Sequence, residues 1–247
     1  MPLTKKQLRA RDAKRNIAEE LLLSVRQMNA GNGKAVPRVG TSARGESMTA
    51  GASSRHLPRV IIFAGPNGAG KSTHADAIVA ALGIDTFVNA DYIARGLSGR
   101  NADAVAMQAG RIMLTRLKEL AVAGKDFAFE STLFSRSFAP FLRQLKAQGY
   151  QVAIYYFSLT SASLAVRRVK LRVAMGGHDV PEGTVRRRFG RSLLNFHSLY
   201  TPLADRWVMF DNSINGKATL VAMQDGGQLK IKEPKPWLKL QKLPTTG

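Results

Sequence analysis

A glycine-rich stretch that ends in lysine, serine and threonine has the residue types and spacing to hold a phosphate. It reads GPNGAGKST over residues 65–73 and fits the pattern G-x-x-x-x-G-K-[ST]. Its glycines let consecutive backbone N–H groups wrap a phosphate, and the N-terminus of the following helix adds partial positive charge. We therefore predict a nucleoside triphosphate site formed by Gly65, Pro66, Asn67, Gly68, Ala69, Gly70, Lys71, Ser72 and Thr73.

Two side chains in this stretch have separate chemical roles. Lys71, the lysine of the pattern, reaches the β- and γ-phosphate oxygens, and the hydroxyl of Ser72 is a ligand for Mg²⁺. The predicted cofactors are therefore ATP, or GTP in its place, and Mg²⁺. A glycine-rich turn without a ligand is disfavoured, because the stretch follows an apolar strand and precedes a helix.

Two acidic residues follow predicted strands elsewhere in the chain. Asp91 follows the segment TFVNA, and Glu130 follows the segment KDFAF. Ligands of open parallel sheets bind beyond the carboxyl ends of the strands, and phosphoryl transfer to an alcohol needs a base and groups that orient the acceptor. For Asp91 the alternative role is the N-cap of a helix that starts at Tyr92. For Glu130 it is a structural hydrogen bond to Ser131 or Thr132.

A basic segment over residues 162–191 contains eight lysine and arginine residues and two acids. Two basic helices joined by the sequence GGHDVP at 176–181 are suited to a lid that closes over a triphosphate. Guanidinium groups grip phosphate oxygens in pairs, so the candidate phosphate ligands are Arg168, Arg172 and Arg188. The alternative is basic helix faces in water, which accounts for most of the other arginines.

The elements that must position these residues alternate from residue 58 onwards. Short apolar and β-branched segments are followed by helix-length amphipathic segments, which is typical of a parallel sheet flanked by helices. The predicted strands are 59–64, 86–90, 126–130, 151–157 and 206–210, and the predicted helices are about 70–82, 101–123, 137–148, 161–175 and 181–199. The predicted fold class is α/β, of the P-loop NTPase and nucleotide-kinase type, with an arginine-rich helical lid and an N-terminal helical extension.

The chain divides into four predicted regions. Residues 1–29 form a basic amphipathic helix, 30–57 a glycine- and serine-rich linker, 58–224 the catalytic domain, and 225–247 a basic tail. A hairpin that turns at two adjacent glycines, 226 and 227, is also predicted near the end.

The chain is strongly basic, with 37 lysine and arginine residues against 17 acids and a formal net charge of +20 at pH 7. Such an excess is typical of proteins with polyanionic or phosphate-rich partners. The sequence has no cysteine, which excludes a disulfide framework, a thiolate metal site and a cysteine nucleophile. It also has no apolar stretch of membrane-spanning length, so we expect a cytoplasmic protein with no membrane partner.

Five blocks of sequence occur in a fixed order between about residues 58 and 215. They are GPNGAGKST at 65–73; FVNAD at 87–91 with Ile93, Gly96 and Leu97; FESTL at 129–133; Arg172 with GGHDVP and then Arg188 and Phe189; and Trp207 with DNS at 211–213. Together these blocks resemble the zeta toxin family of P-loop kinases.

The resemblance implies ATP-dependent phosphorylation of a sugar hydroxyl on UDP-N-acetylglucosamine or a related sugar nucleotide. By position it implies that Asp91 is the general base and that Glu130 and Thr132 contact the acceptor sugar. The resemblance also implies that Lys71 binds phosphate and that Arg172 and Arg188 bind the triphosphate.

The sequence leaves several alternatives for the partner and the acceptor. In toxin systems of this family a helical antitoxin blocks the nucleotide site, so the resemblance implies an antitoxin in trans or, from residues 4–29, in cis. An accessory helix is the favoured role for residues 4–29. Other acceptors for a P-loop kinase are another small metabolite or a nucleotide. A nucleic-acid-associated P-loop NTPase is less favoured, because the basic tails lack interleaved aromatic residues.

Overall fold

A computed structural model describes residues 57–98, 104–177, 179–214 and 217–242. The predicted N-terminal helix, the linker up to residue 56 and the residue His178 lie outside the described residues.

Seven strands form one mixed sheet in the order β2-β3-β1-β4-β5-β6-β7. The first five in chain order run parallel, whereas β6 and β7 add an antiparallel edge. A parallel sheet was predicted; β6 instead runs antiparallel, because only two residues separate it from β5 and a parallel crossover needs a dozen or more. The strands are β1 (Arg59–Ala64), β2 (Phe87–Val88), β3 (Phe127–Ser131), β4 (Gln151–Ser158), β5 (Arg206–Ile214), β6 (Lys217–Asp225) and β7 (Gln228–Ile231).

Strand β1 is buried on both of its faces. Val60, Ile62 and Ala64 belong to one hydrophobic core, and Ile61 and Phe63 belong to the core on the other side of the sheet. Successive side chains of a strand point to opposite faces, so a continuous apolar run is the pattern of a strand that is covered on both sides. The polar residues that follow β1 are therefore carried to the edge of the sheet where the parallel strands end.

Seven α-helices flank the sheet in the described parts of the chain. They are α1 (Lys71–Ala81), α2 (Ala90–Leu97), α3 (Ala106–Val122), α4 (Phe138–Ala147), α5 (Ala162–Ala174), α6 (Glu182–Asn195) and α7 (Pro234–Gln241). A π-helical turn (Phe196–Tyr200) and a 3-10 turn (Thr201–Leu203) follow α6. None of the described helices combines the length and the apolar character needed to span a bilayer.

Strand β2 is shorter than predicted, and helix α2, which was considered only as an alternative with its start at Tyr92, begins at Ala90. Both differences have one cause. The side chain of Asn89 accepts a hydrogen bond from the backbone N–H of Asp91 at 2.7 Å and caps the helix. The chain therefore leaves the sheet after Val88, inside the predicted strand 86–90, and begins a helix of eight residues.

Residues beyond 224 continue the sheet and pack on the core. The predicted hairpin is present, with β7 paired to β6 across a turn whose two glycines both have positive φ. In α7, Trp237 is only 7% exposed, and its ring stacks on that of Trp207 with 6.0 Å between centroids. The segment that was predicted to be a basic tail thus contributes an aromatic anchor, Trp237, to the core.

Replacement of this anchor tests how far α7 supports the fold. We expect Trp237→Ala to lower the free energy of unfolding by about 3–5 kcal/mol, because it removes a buried indole. Leu238→Ala is the matched control on the same helix: Leu238 is 53% exposed, and the change should stay within about 0.5 kcal/mol. Urea unfolding followed by circular dichroism measures both. Equal midpoints for the two variants would contradict the role given to Trp237.

Candidate active site

The glycine-rich loop leaves β1 at the carboxyl edge of the sheet, and α1 begins directly after it. Gly65 has a φ of +136°, and a Cβ atom there would lie 2.1 Å from the carbonyl oxygen of Phe157. Gly70 has a φ of +80°, and its Cβ would lie 2.4 Å from Nδ2 of Asn212. Both positions require glycine, because the backbone is left-handed and the neighbouring strands β4 and β5 approach so closely.

Lys71 and Ser72 share one carboxylate. Lys71 is 6% exposed, and its Nζ donates to the carbonyl oxygen of Pro66 at 3.1 Å and lies 3.4 Å from Oε1 of Glu130. The hydroxyl of Ser72 donates to Oε2 of Glu130 at 2.6 Å. The two polar residues of the loop are therefore held together by an acid from the neighbouring strand β3.

Glu130 is also connected to the start of α2. The Nδ2 atom of Asn89 donates to Oε2 of Glu130 at 2.9 Å, while the Oδ1 atom of Asn89 caps the helix. The alternative hydrogen bonds considered for Glu130, to Ser131 or Thr132, do not form. One amide side chain thus couples the phosphate loop to the helix that carries Asp91.

Asp91 lies in the first turn of α2 and lines the same cavity as Lys71 and Ser72. It is not the N-cap, because Asn89 fills that position. Among the residues that the structure describes, no hydrogen bond or ion pair engages the carboxylate of Asp91. A carboxylate with this freedom can accept a proton from a group bound in the cavity.

The loop after β3 is held in a strained conformation. Leu133 has a φ of +51°, which is rare for a residue with a branched side chain, and it is buried. Asn195 of α6 fixes this turn by donating from Nδ2 to the carbonyl oxygens of Leu133 and Phe134, at 2.9 and 2.8 Å. The turn directs Thr132 to the wall of the cavity.

Three arginines of α5 and α6 line the opposite wall. Arg168 donates to the carbonyl oxygen of Ser213 at 3.2 Å, and its Cβ packs near Gly68 of the phosphate loop. The guanidinium of Arg188 lies 5.1 Å from the ring centroid of Phe134, a cation–π distance. Arg172 lies in the last turn of α5 and faces the same cavity.

Two of these arginines are partly removed from water. Burial lowers the pKa of Arg168, and the carboxylate of Asp211 opposes that change. Burial also lowers the pKa of Arg188; the neighbouring Arg187 adds to the effect, and Asp91 opposes it. Guanidinium groups stay charged at neutral pH despite such shifts. Both side chains are therefore cations in a wall that is partly shielded from water. They attract a phosphate more strongly there than they would in bulk water.

All but three of the predicted site residues line one cavity of about 890 Å³. Three members of the predicted phosphate loop, Gly65, Pro66 and Ala69, form the loop backbone behind the wall rather than lining it. The predicted residues that do line the cavity are Asn67, Gly68, Gly70, Lys71, Ser72, Thr73, Asp91, Glu130, Thr132, Arg168, Arg172 and Arg188.

Several lining residues were not predicted. Asn212 donates from Nδ2 to the carbonyl oxygen of Ala69 at 2.8 Å and so fixes the phosphate loop from the end of β5. His74 stacks on Phe157 with 5.0 Å between ring centroids; burial lowers its pKa, and a hydrogen bond with Asn212 opposes that change. Asn89 could have been found, since an asparagine two residues before an acid is a helix-start signal. His74 and Asn212 carried no such local signal.

The donor set at the loop suits a magnesium ion that is bound mainly by phosphate. The hydroxyl of Ser72 and the carboxylate of Glu130 lie together at the start of α1. Within the described ranges, no group of three or more histidine, aspartate or glutamate side chains could hold a metal by itself. Mg²⁺ in nucleotide sites is held by one or two protein oxygens, by waters and by the phosphates, which these residues fit.

Comparisons with known proteins agree with this geometry. Residues 60–191, more than half of the chain, match the AAA domain family AAA_33. An uncharacterized protein from Haemophilus influenzae is 28% identical over 131 residues, which are 53% of this chain and 92% of that protein. The crystal structure of AvrRxo1-ORF1 with AvrRxo1-ORF2 and ATP is similar with a TM-score of 0.62 at 17% identity, covering 79% of this chain and 67% of that one. The PezAT toxin–antitoxin system of Streptococcus pneumoniae gives a TM-score of 0.46 at 14% identity, covering 85% and 82%.

The fold and the site together define a P-loop kinase-like domain: a sheet flanked by helices, with the glycine-rich loop between β1 and α1. The chain belongs to the AAA domain family. The predicted fold class is confirmed, with the difference that the sheet is mixed.

The loop geometry predicts a severe effect of one added methyl group. Gly65→Ala should destabilise the protein by at least the ~1–3 kcal/mol of a strained backbone residue, because the new Cβ meets the carbonyl oxygen of Phe157. Gly183→Ala is the control, because Gly183 is helical with open space around its Cβ position, and the change should be neutral or stabilising. Thermal denaturation compares the two. A Gly65→Ala protein as stable as the wild type would refute the packing described for the loop.

Proposed function

We propose that this protein is an ATP-dependent kinase of the zeta toxin type, which transfers the γ-phosphate to a sugar hydroxyl of UDP-N-acetylglucosamine or a related sugar nucleotide. The observation that carries the proposal is the unengaged carboxylate of Asp91, which faces the same cavity as the Lys71, Ser72 and Glu130 cluster. The choice of acceptor rests on the sequence resemblance.

The strand order supports a direction for the triphosphate. Asp91 follows β2 and Glu130 is in β3, on one side of β1, whereas Asn212 and Arg168 lie on the other side, beyond β4. The phosphate loop wraps the β-phosphate between these two sides. With the γ-phosphate over Lys71 and toward Asp91, the nucleoside extends toward Arg168 and the end of β5.

In this arrangement Asp91 acts as the general base. The acceptor hydroxyl oxygen forms a bond to the γ-phosphorus, the bond from that phosphorus to the β,γ-bridging oxygen breaks, and ADP leaves with the bonding electrons. The hydroxyl proton passes to the carboxylate of Asp91. No other described carboxylate in the cavity is as free, since Glu130 is held by Ser72 and Asn89.

The cations of the cavity stabilise the charge on the transferred group. Lys71 now lies against Pro66 and Glu130, within reach of a phosphate bound by the loop. Arg172 and Arg188 approach from the opposite wall, and the partly buried Arg188 lies near Asp91. Ser72, with Glu130 beside it, would hold Mg²⁺, which would offset the negative charge of the phosphates.

Glu130 and Thr132 are proposed to orient the acceptor sugar, since both line the cavity between the phosphate loop and Asp91. A helical antitoxin, in trans or supplied by residues 4–29, is proposed as the partner that would close the nucleotide site. Both proposals rest on the sequence resemblance.

Replacement of the proposed base tests the mechanism. We expect Asp91→Asn to lower kcat for phosphate transfer from γ-labelled ATP by about 10²–10⁴-fold while ATP still binds, because the amide cannot take the proton and Asp91 does not contact the phosphate loop. Asp85→Asn, an exposed carboxylate before β2, is the control and should keep full activity. Full activity in Asp91→Asn would rule out Asp91 as the base.

The acceptor is tested with a panel of hydroxylated compounds. We expect label from ATP to appear on UDP-N-acetylglucosamine or on another nucleotide sugar, and much less on free N-acetylglucosamine or on simple metabolites. Mass spectrometry of the labelled product identifies the modified compound. Preferential labelling of a free sugar or of a nucleotide without a sugar substituent would overturn this acceptor class, although not the kinase assignment.

A further inference from the structure

The part of the cavity beyond Asp91 contains two arginines that the proposed chemistry does not use. Arg95 lies on α2, one helical turn after Asp91, and Arg111 lies on α3, which packs against α2. Both side chains are exposed and line the cavity. Residues four apart on a helix share a face, so Arg95 projects from the same side of α2 as Asp91.

The charge of the cavity exceeds what a triphosphate requires. Six basic side chains line it against two acids, Asp91 and Glu130. Lys71 and Arg168 lie at the phosphate loop, and Arg172 and Arg188 are the other candidate phosphate ligands, so these four cations are assigned to a bound nucleotide. Arg95 and Arg111 remain, on helices at the far side of Asp91, and neither forms an ion pair within the described residues. Within the part of the chain that the structure describes, their charge is therefore not neutralised by an ion pair.

The surroundings of the two arginines are apolar and aromatic. Tyr92, Met107 and Leu114 line the same part of the cavity and are 44%, 77% and 41% exposed. Arg111 and Tyr92 also border a neighbouring cavity of about 530 Å³ between β2, α2 and α3. A ligand at Asp91 can therefore extend past these residues onto a surface with both cationic and aromatic groups, which suits a nucleotide-like molecule.

We propose that Arg95 and Arg111 form a subsite for a phosphate or diphosphate group of the acceptor, at a distance from the hydroxyl that is phosphorylated at Asp91. This inference takes the identity of the acceptor from the proposed function, on which it rests. It adds the two residues that select a phosphorylated acceptor over a neutral sugar. Guanidinium groups bind phosphate oxygens in pairs, which gives the subsite its selectivity.

Binding of the acceptor to the full-length protein tests the subsite without turnover. The nucleotide site is first saturated with Mg²⁺ and a non-hydrolysable ATP analogue, so that an added diphosphate cannot occupy the phosphate loop. Isothermal titration calorimetry then measures Kd for two probes, UDP-N-acetylglucosamine and UDP. We expect Arg95→Gln and Arg111→Gln each to raise the Kd of both probes by about tenfold, because each substitution removes one charged hydrogen-bonding partner.

Three further measurements separate this role from a structural one. Arg111→Lys should recover part of the affinity, because it restores the charge without the planar fork. Arg143→Gln, an exposed arginine on α4 that does not line the cavity, is the matched control and should leave Kd unchanged. Affinity for the ATP analogue should be the same in all variants, since the two arginines lie away from the phosphate loop.

The outcomes distinguish this inference from the proposed function. If UDP binds the protein saturated with the ATP analogue, and the two glutamine variants bind UDP more weakly, the subsite is supported even when no phosphate is transferred. If UDP-N-acetylglucosamine is phosphorylated but neither variant changes Kd or KM, the kinase assignment stands and the subsite is wrong. Absence of any binding of UDP and UDP-N-acetylglucosamine to the loaded wild type also overturns it.

Discussion

The parallel pairing of β1 with β3 is the constraint on which the site depends. Its register places Phe63 beside Glu130 and Ala64 beside Ser131, so the acid lies one residue before the end of β3, close to the start of the phosphate loop. A slip of one residue would turn the side chain of Glu130 to the other face of the sheet and away from Ser72. The buried side chains of both strands, which fill two separate cores, are what prevent such a slip.

The charges at this junction are stable because they are paired. Lys71 is 6% exposed and the side chain of Glu130 is 13% exposed, so either charge alone would carry a large desolvation cost. Their contact, together with hydrogen bonds from Ser72 and Asn89, satisfies the carboxylate. In the proposed function, Lys71 and Ser72 would exchange these partners for phosphate oxygens and for Mg²⁺.

The two walls of the cavity are built by different means. The wall of α5 and α6 is attached to the core through apolar residues such as Val166, Val185 and Phe189, while Glu182 bridges Lys170 and Arg186 on the outside. The other wall begins at the asparagine cap of α2. Arginines on both walls line the cavity, so among the described residues it combines an attractive field for phosphates with the unengaged carboxylate of Asp91.

The sequence by itself determined the glycine-rich loop, the strands on either side of it and the candidate residues Lys71, Asp91 and Glu130, because these features are local: a motif, an apolar run and an acid at a strand end. It did not reveal that Asn89 would end β2 and cap α2, or that Asn212 would reach the loop from 143 positions away in the chain. Nor did it show that Arg95 and Arg111 face the same cavity as Asp91. Those relations depend on the strand order and on helix packing, which bring together residues that no local pattern connects.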